Sequence, residues 1–221
     1  MTSVDPPSPN APRADRARTL VLGVLGGIAS GKSTAAELLA GPDGLVLAAD
    51  RIAHEVLASD EVTALVREHF GEAVLGPDGR PDRAALAARV FDPAHGEADR
   101  RRLEGWTHPR VRATISTRLR EARAAGIPRV VLDVPLLLEN DPEHGLVEAC
   151  DVLVFVDVPL EERRRRAATR GWDVDELARR EALQLPLAEK RARADHVLQN
   201  DGDLAALAAR VDALVATLAP S

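Results

Sequence analysis

The sequence predicts an α/β fold in which a parallel sheet carries helices on both faces. Two observations carry this expectation. Short, nearly continuous apolar runs recur, as in strands buried on both faces, and stretches with helical spacing lie between and after them. Strands that alternate with helices pair in parallel through right-handed crossovers. The runs are Thr19–Leu25, Leu45–Ala49, Arg129–Val134 and Val152–Val158, with a weaker fifth at His196–Gln199, so five strands are expected. Helical spacing is clearest in Val111, Ile115 and Leu119 and in Leu204, Leu207, Val211, Leu214 and Leu218.

Along the chain, residues 1–18 hold four Pro, several charges and no apolar periodicity, and read as a disordered tail rather than a targeting segment. The first run and its glycine-rich continuation then open the sheet. Between the second and third runs, about Arg51 to Pro128, the chain is too long for one crossover helix. Helical patterns there are broken at Gly71, at Gly76-Pro77-Asp78-Gly79 and at Asp92-Pro93, so the segment reads as a helical insertion beside the sheet.

Composition narrows the function. The 221 residues carry 29 Lys+Arg against 35 Asp+Glu, a formal charge of −6, so no global field draws the chain to nucleic acid or an anionic membrane. Any polyanion must be met locally. Aromatic residues make up 2%, too few for base-stacking platforms. A single Cys, Cys150, allows no internal disulfide, no zinc-like spacing of Cys or His occurs, and no apolar run is long enough for a bilayer. These features suggest a cytoplasmic protein. Lysine occurs only at Lys32 and Lys190, the other basic residues being arginine, and a compact ammonium differs chemically from a planar guanidinium.

The first strand runs into Gly26-Gly27-Ile28-Ala29-Ser30-Gly31-Lys32-Ser33-Thr34, followed by the helical run Ala35–Ala40. This is the pattern of a phosphate-binding loop. Glycines permit positive φ, successive N–H groups then converge on one concavity, and the following helix adds its positive end. Lys32 is placed to reach the β- and γ-phosphates of a nucleotide and the Ser33 hydroxyl to ligate Mg²⁺.

A regulatory GTPase would need Asp-x-x-Gly and Asn-Lys-x-Asp, and neither occurs. A motor ATPase would show an apolar strand ending in an acid with an adjacent Glu. Val130-Val131-Leu132-Asp133 lacks that Glu, which leaves Asp133 as an Mg²⁺ partner or a structural strand-end acid. A small-molecule kinase needs a carboxylate to accept the acceptor's proton and cations to gather phosphoryl charge. Asp50 closes the second strand at the carboxyl end of the sheet, where open α/β folds bind ligands, and reads as that base or as a helix N-cap for Arg51–Leu57. The arginines of Pro159–Arg170 read as a flap over phosphates or as a solvated helix; Arg166 and Arg170 share a helix face, with Arg163 on or near it.

Six ordered segments then resemble the dephospho-CoA kinase family, from about Thr19 to Leu218. They are the GGIASGKST loop, AADRIAHEVL at Ala48–Leu57, GPDGRPDRAALAARVF at Gly76–Phe91, Leu103-Glu104 with His108-Pro109, VPLLLE at Val134–Glu139, and the arginine helix followed by Gln184-Leu185-Pro186, Lys190, Ala194-Asp195 and Asn200. The resemblance implies the P-loop kinase fold and ATP-dependent phosphorylation of the ribose 3′-hydroxyl of dephospho-CoA, with Mg²⁺. It implies a core of residues 19–50 and 126–221 with a lid at about 163–187, and an acceptor-binding insertion at 51–125. Carried over residue by residue, Asp50, Lys32 and Arg166 are catalytic. Gly27, Ile28, Ala29, Ser30, Gly31, Lys32, Ser33, Thr34, Arg166, Arg170 and Asn200 bind ATP, Asn200 near the adenine. Asp50, Arg83, His108, Leu137, Leu138 and Glu139 bind the acceptor. The expected partner is this small molecule, without nucleic acid or membrane, and the expected state a monomer or weak homo-oligomer.

Three positions depart from the family pattern. Ala48 stands where an acid is frequent, a role Asp133 could fill; Arg163 replaces a frequent Gln; Ala29 replaces a frequent Gly, a mild change if its backbone is helical or extended. Elsewhere, His108-Pro109 reads as ligand contact or as the start of the long helix. Trp106 and Trp172 read as packing residues before stackers, and Lys190 as a partner of Glu189 or Asp195 with no assigned role. Competing readings are another P-loop small-molecule kinase and a non-catalytic nucleotide-binding module.

Overall fold

The computed structural model describes residues 19–92, 96–141 and 145–218, so the proposed 1–18 tail lies outside the described residues. All five expected strands are present: β1 (Leu20–Gly26), β2 (Leu45–Ala48), β3 (Arg129–Asp133), β4 (Val152–Asp157) and β5 (His196–Gln199). They form one wholly parallel sheet in the order β2-β3-β1-β4-β5. The central strands are the most apolar because both of their faces are covered. Val21, Leu22, Val130, Val131, Leu132 and Val154 are all fully enclosed.

Helix α1 (Lys32–Ala40) continues directly from the glycine-rich loop. It packs with α9 (Leu204–Leu218) over one sheet face, where Leu22, Val24, Leu39, Val131, Val154, Leu207 and Val211 make one apolar layer. The opposite face is covered by the insertion: α2 (Ala49–Leu57), α3 (Asp60–Phe70), a short 3₁₀ turn at Glu72–Val74, α4 (Arg83–Val90) and α5 (Gly96–Ala125). Ile52, Val56, Val62, Val66, Leu86, Ile115 and Leu119 from these helices share a core with Val21, Leu47, Val130 and Leu132 of the sheet. Ser59 and Asp82 cap α3 and α4 by accepting amide hydrogen bonds from Val62 and Ala85.

One expectation is corrected here. His108-Pro109 does not begin the long helix, because α5 runs through Pro109. Proline removes the bond to the carbonyl of residue 105. Gly105 lies on the exposed face with open space around it, so solvent can satisfy that carbonyl and the helix continues.

Beyond β4 come α6 (Leu160–Ala168), α7 (Val174–Glu181) and the short α8 (Leu187–Ala192). Helices α6 and α7 form a hairpin, with Asp173 capping α7, and its apolar side (Ala167, Leu177, Trp172) rests on Ile28 and Ala29 of the loop. No described helix is long and apolar enough to cross a membrane.

The loop's helix is pinned from behind by Arg129, whose Nε donates to the carbonyls of Leu39 (2.9 Å) and Ala40 (3.3 Å) at the C-terminus of α1. A cation there also suits the negative end of the helix. Replacing Arg129 with Met is expected to cost about 1–3 kcal/mol, read as a shift in the midpoint of chemical denaturation. An unchanged midpoint would contradict the pinning.

Candidate functional site

Among the described residues, three cavities open at the carboxyl ends of the strands, the crevice where open parallel sheets bind ligands. The largest, about 520 Å³, is lined by the glycine-rich loop (Gly26, Ile28 to Thr34), Asp50, Asp133, Pro135, Leu136, Arg170, Trp172, Arg180, Gln184 and Lys190. A second, about 280 Å³, lies between α1 and α2 and includes Ser33, Glu37, Asp50, Arg51 and Asp133. The third, about 300 Å³, lies between α2, α5 and the turn after β3. Asp50 lines all three.

The loop's conformation follows from its sequence except at one residue. Gly31 takes φ 80 as the N-cap of α1 and makes no side-chain cap, leaving the first-turn amides of the helix for another acceptor. Ala29 takes φ 58, in the left-handed region, and not the helical or extended backbone expected for it. That conformation costs an L-residue about 1–2 kcal/mol. Burial of its methyl against Ala167, Leu177 and Trp172 offsets part of this.

Neighbouring segments brace the loop through its carbonyls. Asn200, buried beside the end of β5, donates from Nδ2 to Ser30 O (2.8 Å). Arg166 donates to Ser30 O (3.4 Å) and to Asn200 O (3.0 Å), while its Nε pairs with Glu162 (2.7 Å). Arg163 is 5% exposed and pairs with Glu181 of α7, with its Nη1 3.2 Å from where a Cβ on Gly27 would stand. Thus Arg166 and Asn200 stand behind the loop, while Arg170 faces the cleft. In the crowded backbone position at Gly31, a Cβ would come within 2.6 Å of Asn200 Nδ2, so no other residue fits without displacing that brace.

Lys32 folds back to donate to the carbonyls of Gly27 (2.8 Å) and Gly26 (3.2 Å). Burial pulls its ammonium down to about 8; Asp133 pushes against this, and Lys190 and Arg170 add to it. Ser33 is exposed and lines the same two cavities as Asp50 and Asp133. In the sheet register Ala48 lies opposite Asp133, so the strand-end acid sits beside the position that lacks one. Asp50 is not a helix N-cap: Ala48 holds that place, and Asp50 is exposed in the first turn of α2.

The third cavity has largely apolar walls (Ala49, Ala53, Val111, Ile115, Val134, Leu136, Leu146) with Glu104, His108, Arg112 and Asn140 among them. Of the expected acceptor residues, Asp50 and His108 line it. Leu137 and Leu138 are 2% and 4% exposed, buried in the core behind the wall, and Glu139 turns away to Lys190. Arg83 is exposed at the start of α4 and lines none of the three cavities. Leu136 takes the wall position instead, at φ 55, facing both the large cleft and the third cavity.

Sequence reasoning quoted Glu104, Leu136 and Gln184 within the family segments without giving them a site role, and did not single out Arg112 or Arg180. Helical spacing from His108 would have found Glu104 and Arg112, one turn away on either side. Trp172 lines the cleft with Arg180 stacked 4.3 Å from its ring centroid, whereas Trp106 packs with His69 and Phe70.

Comparison with known proteins agrees with this geometry. Residues 20–206 match the family model described as dephospho-CoA kinase. The dephospho-CoA kinase of Deinococcus radiodurans is 42% identical over 214 residues, covering 96% of this chain and 97% of that one. That of Corynebacterium efficiens is 39% identical over 201 residues, covering 90% and 97%. Among solved structures, TT1252 from Thermus thermophilus is similar with a TM-score of 0.70 and 37% identity, covering 92% of this chain and all of its own.

An anion bound at the loop favours the protonated form of Lys32, so nucleotide affinity is linked to pH. Calorimetric titration with Mg-ATP is expected to give a steady affinity below pH 7.5 and a decline above about 8, approaching a tenfold loss per unit. An affinity that stays flat to pH 9.5 would contradict the lowered ammonium.

Proposed function

The chain belongs to the dephospho-CoA kinase family and catalyses the ATP-dependent phosphorylation of dephospho-CoA in coenzyme A biosynthesis, and on that premise we propose how its residues divide the work. The large cleft takes ATP, the cavity between α2 and α5 takes the acceptor, and Asp50 is the general base between them. The observation that carries this reading is that, among the described residues, Asp50 alone lines all three of these cavities, with Asp133 and Ser33 on the donor side and His108 and Arg112 on the acceptor side.

In the reaction the acceptor's ribose 3′-hydroxyl oxygen attacks the γ-phosphorus in line. The new O–P bond forms as the bond to the β,γ-bridging oxygen breaks, ADP leaves with that electron pair, and the hydroxyl proton passes to Asp50. Positioning and charge neutralisation supply most of the rate in such transfers. Lys32 exchanges its loop carbonyls for phosphate oxygens, and Arg170 approaches from the hairpin. Arg166, Asn200 and Arg163 act one step back, holding the loop's amides in register. Helices α6 and α7 serve as the lid, and α2 to α5 as the acceptor-binding insertion.

Magnesium fits here by the chemistry of the donors. The Ser33 hydroxyl and the Asp133 carboxylate are oxygen ligands lining the same cavities, and Mg²⁺ is usually held by one or two carboxylates, waters and substrate phosphates. No cluster of three or more His, Cys, Asp or Glu suited to a metal occurs among the described residues, so the phosphates would complete the shell. When bound, the ion supplies charge neutralisation on the β- and γ-phosphates. We take the acting unit to be a monomer or weak homo-oligomer and place its action in the cytoplasm.

ADP release from Mg-ATP with dephospho-CoA, AMP and a sugar acceptor in parallel tests the reading. ADP and coenzyme A are expected with dephospho-CoA only; turnover with another acceptor alone would overturn the acceptor assignment. Asp50→Asn is expected to lower kcat by about 10²–10⁴-fold with ATP affinity nearly intact, and a retained kcat would remove the base.

The two lid arginines are expected to separate. Arg170→Met should lower kcat with little change in melting temperature. Arg166→Met, which strips the loop's brace, should weaken ATP binding and lower the melting temperature together. Identical profiles for the two variants would contradict their different placement.

A further inference from the structure

Of the two lysines in this arginine-rich chain, the family reading gives a role only to Lys32. The other is not on a solvated helix beside Glu189 or Asp195. Lys190 sits on α8, 4% exposed, with its Nζ 2.7 Å from Glu139 Oε1 and donating to Gln184 Oε1 at 3.0 Å. Both lysines line the same cleft.

The pair is oriented. Lys190 and Gln184 face the cleft, and Glu139 does not, so the ammonium is on the nucleotide side and the carboxylate behind it. Glu139 is fixed there by accepting the Leu185 amide (3.1 Å) through Oε1, while its Oε2 is enclosed without a partner. Burial raises the Glu139 carboxyl, but the Lys190 ammonium and backbone amides outweigh it and hold the group below its usual range, so it stays an anion. Lys190 also acts on Lys32 more strongly than Glu139 does, as expected if the positive end points at the loop. An ammonium has three donors, and Glu139 and Gln184 take two.

We propose that Lys190 is a second phosphate-directed cation, held by Glu139 and Gln184, whose remaining N–H contacts the terminal phosphoryl group of the nucleotide as it is transferred. This deepens the kinase reading and rests on it. The bonds made and broken are those of the in-line transfer above. Stability alone does not favour such a pair, since apolar residues of similar volume often serve a buried site as well or better. A pre-oriented cation beside developing phosphoryl charge serves the reaction, because it needs no reorganisation when the charge appears. An arginine is not equivalent, since its planar guanidinium presents a fixed fork of donors, whereas a compact ammonium turns three donors to Glu139, Gln184 and the phosphoryl group.

The test uses Lys190→Met, Glu139→Gln and the double variant, which carries no buried charge and keeps the measurement available if Lys190→Met alone does not fold. Lys190→Met and the double variant are both expected to lose about 10²–10³-fold in kcat, with KM for dephospho-CoA within about threefold, while Glu139→Gln loses less than about tenfold. A double variant restored to wild-type kcat would overturn the proposal, because the lysine would then matter only as the partner of a buried carboxylate. A second arm needs no acceptor. The β,γ-imido analogue of ATP should bind the lysine-free variants about tenfold more weakly, with ADP affinity unchanged; equal weakening of both nucleotides, or of neither, would overturn the contact. Failure of the wild type to phosphorylate dephospho-CoA would sink the acceptor reading, and the nucleotide arm would still decide the lysine.

Discussion

The rest of the site depends on one constraint, the left-handed backbone of the loop between β1 and α1. Gly26, Ala29 and Gly31 all take positive φ, and Ala29 does so at a cost. Nothing local makes that shape the favoured one for free chain. It is imposed from outside: Asn200 and Arg166 grip the carbonyl of Ser30, and Ala167 and Leu177 cover the Ala29 methyl. The braces come from β5's end and from the hairpin, so the loop takes its working shape only when the last third of the chain has docked. Carbonyls are gripped, while the N-terminus of α1 carries no side-chain cap, which suits an anion.

The sheet supplies the second requirement, a fixed distance between two substrates. Asp50 stands just beyond β2, Asp133 ends β3, and the register that sets Ala48 opposite Asp133 fixes how far apart their chain positions lie. Beyond β3, Pro135 and Leu136 form the wall shared by donor and acceptor cavities. Leu136 pays for its left-handed backbone. Its followers Leu137 and Leu138 anchor the turn in the core, and Glu139 anchors it to α8. The three residues that the family pattern placed on the acceptor wall therefore hold it from behind.

The sheet was legible in the sequence because its strands are buried on both faces, which leaves an unmistakable apolar run. The loop was legible because glycine and lysine at that spacing have few other uses. What stayed hidden was side-chain pairing over long stretches of chain. Glu139 and Lys190, or Arg166 and Ser30, meet only through the fold, and no local pattern encodes them. The four-arginine run shows the same limit. Its members differ in fate, Arg163 buried against Glu181, Arg166 behind the loop, and Arg164 and Arg165 paired with Glu161 and Glu162 on the outside. Periodicity places Arg163, Arg166 and Arg170 near one face, but not which of them reaches the cleft. Pro109 misled for a different reason: proline suits the first turn of a helix, yet here α5 continues through it, and Gly105, whose carbonyl it frees, is exposed.

The two substrates are read by different kinds of backbone. The donor side is built from turns, whose amides and short side chains can surround a compact, highly charged group. On the proposed acceptor side Glu104, His108 and Arg112 repeat at helical spacing on α5 and line the cavity together with Val111 and Ile115, which suits a longer ligand of mixed polarity. The chain as a whole carries −6, yet the donor cleft sets four cations, Lys32, Arg170, Arg180 and Lys190, against only Asp50 and Asp133. Positive charge thus predominates along this cleft in a chain that is acidic overall, which suits the phosphates of the proposed ATP site. Asp50, the proposed base, lines the cavities on both sides of this boundary, where a base would meet an acceptor hydroxyl and a phosphoryl group only when both substrates are bound.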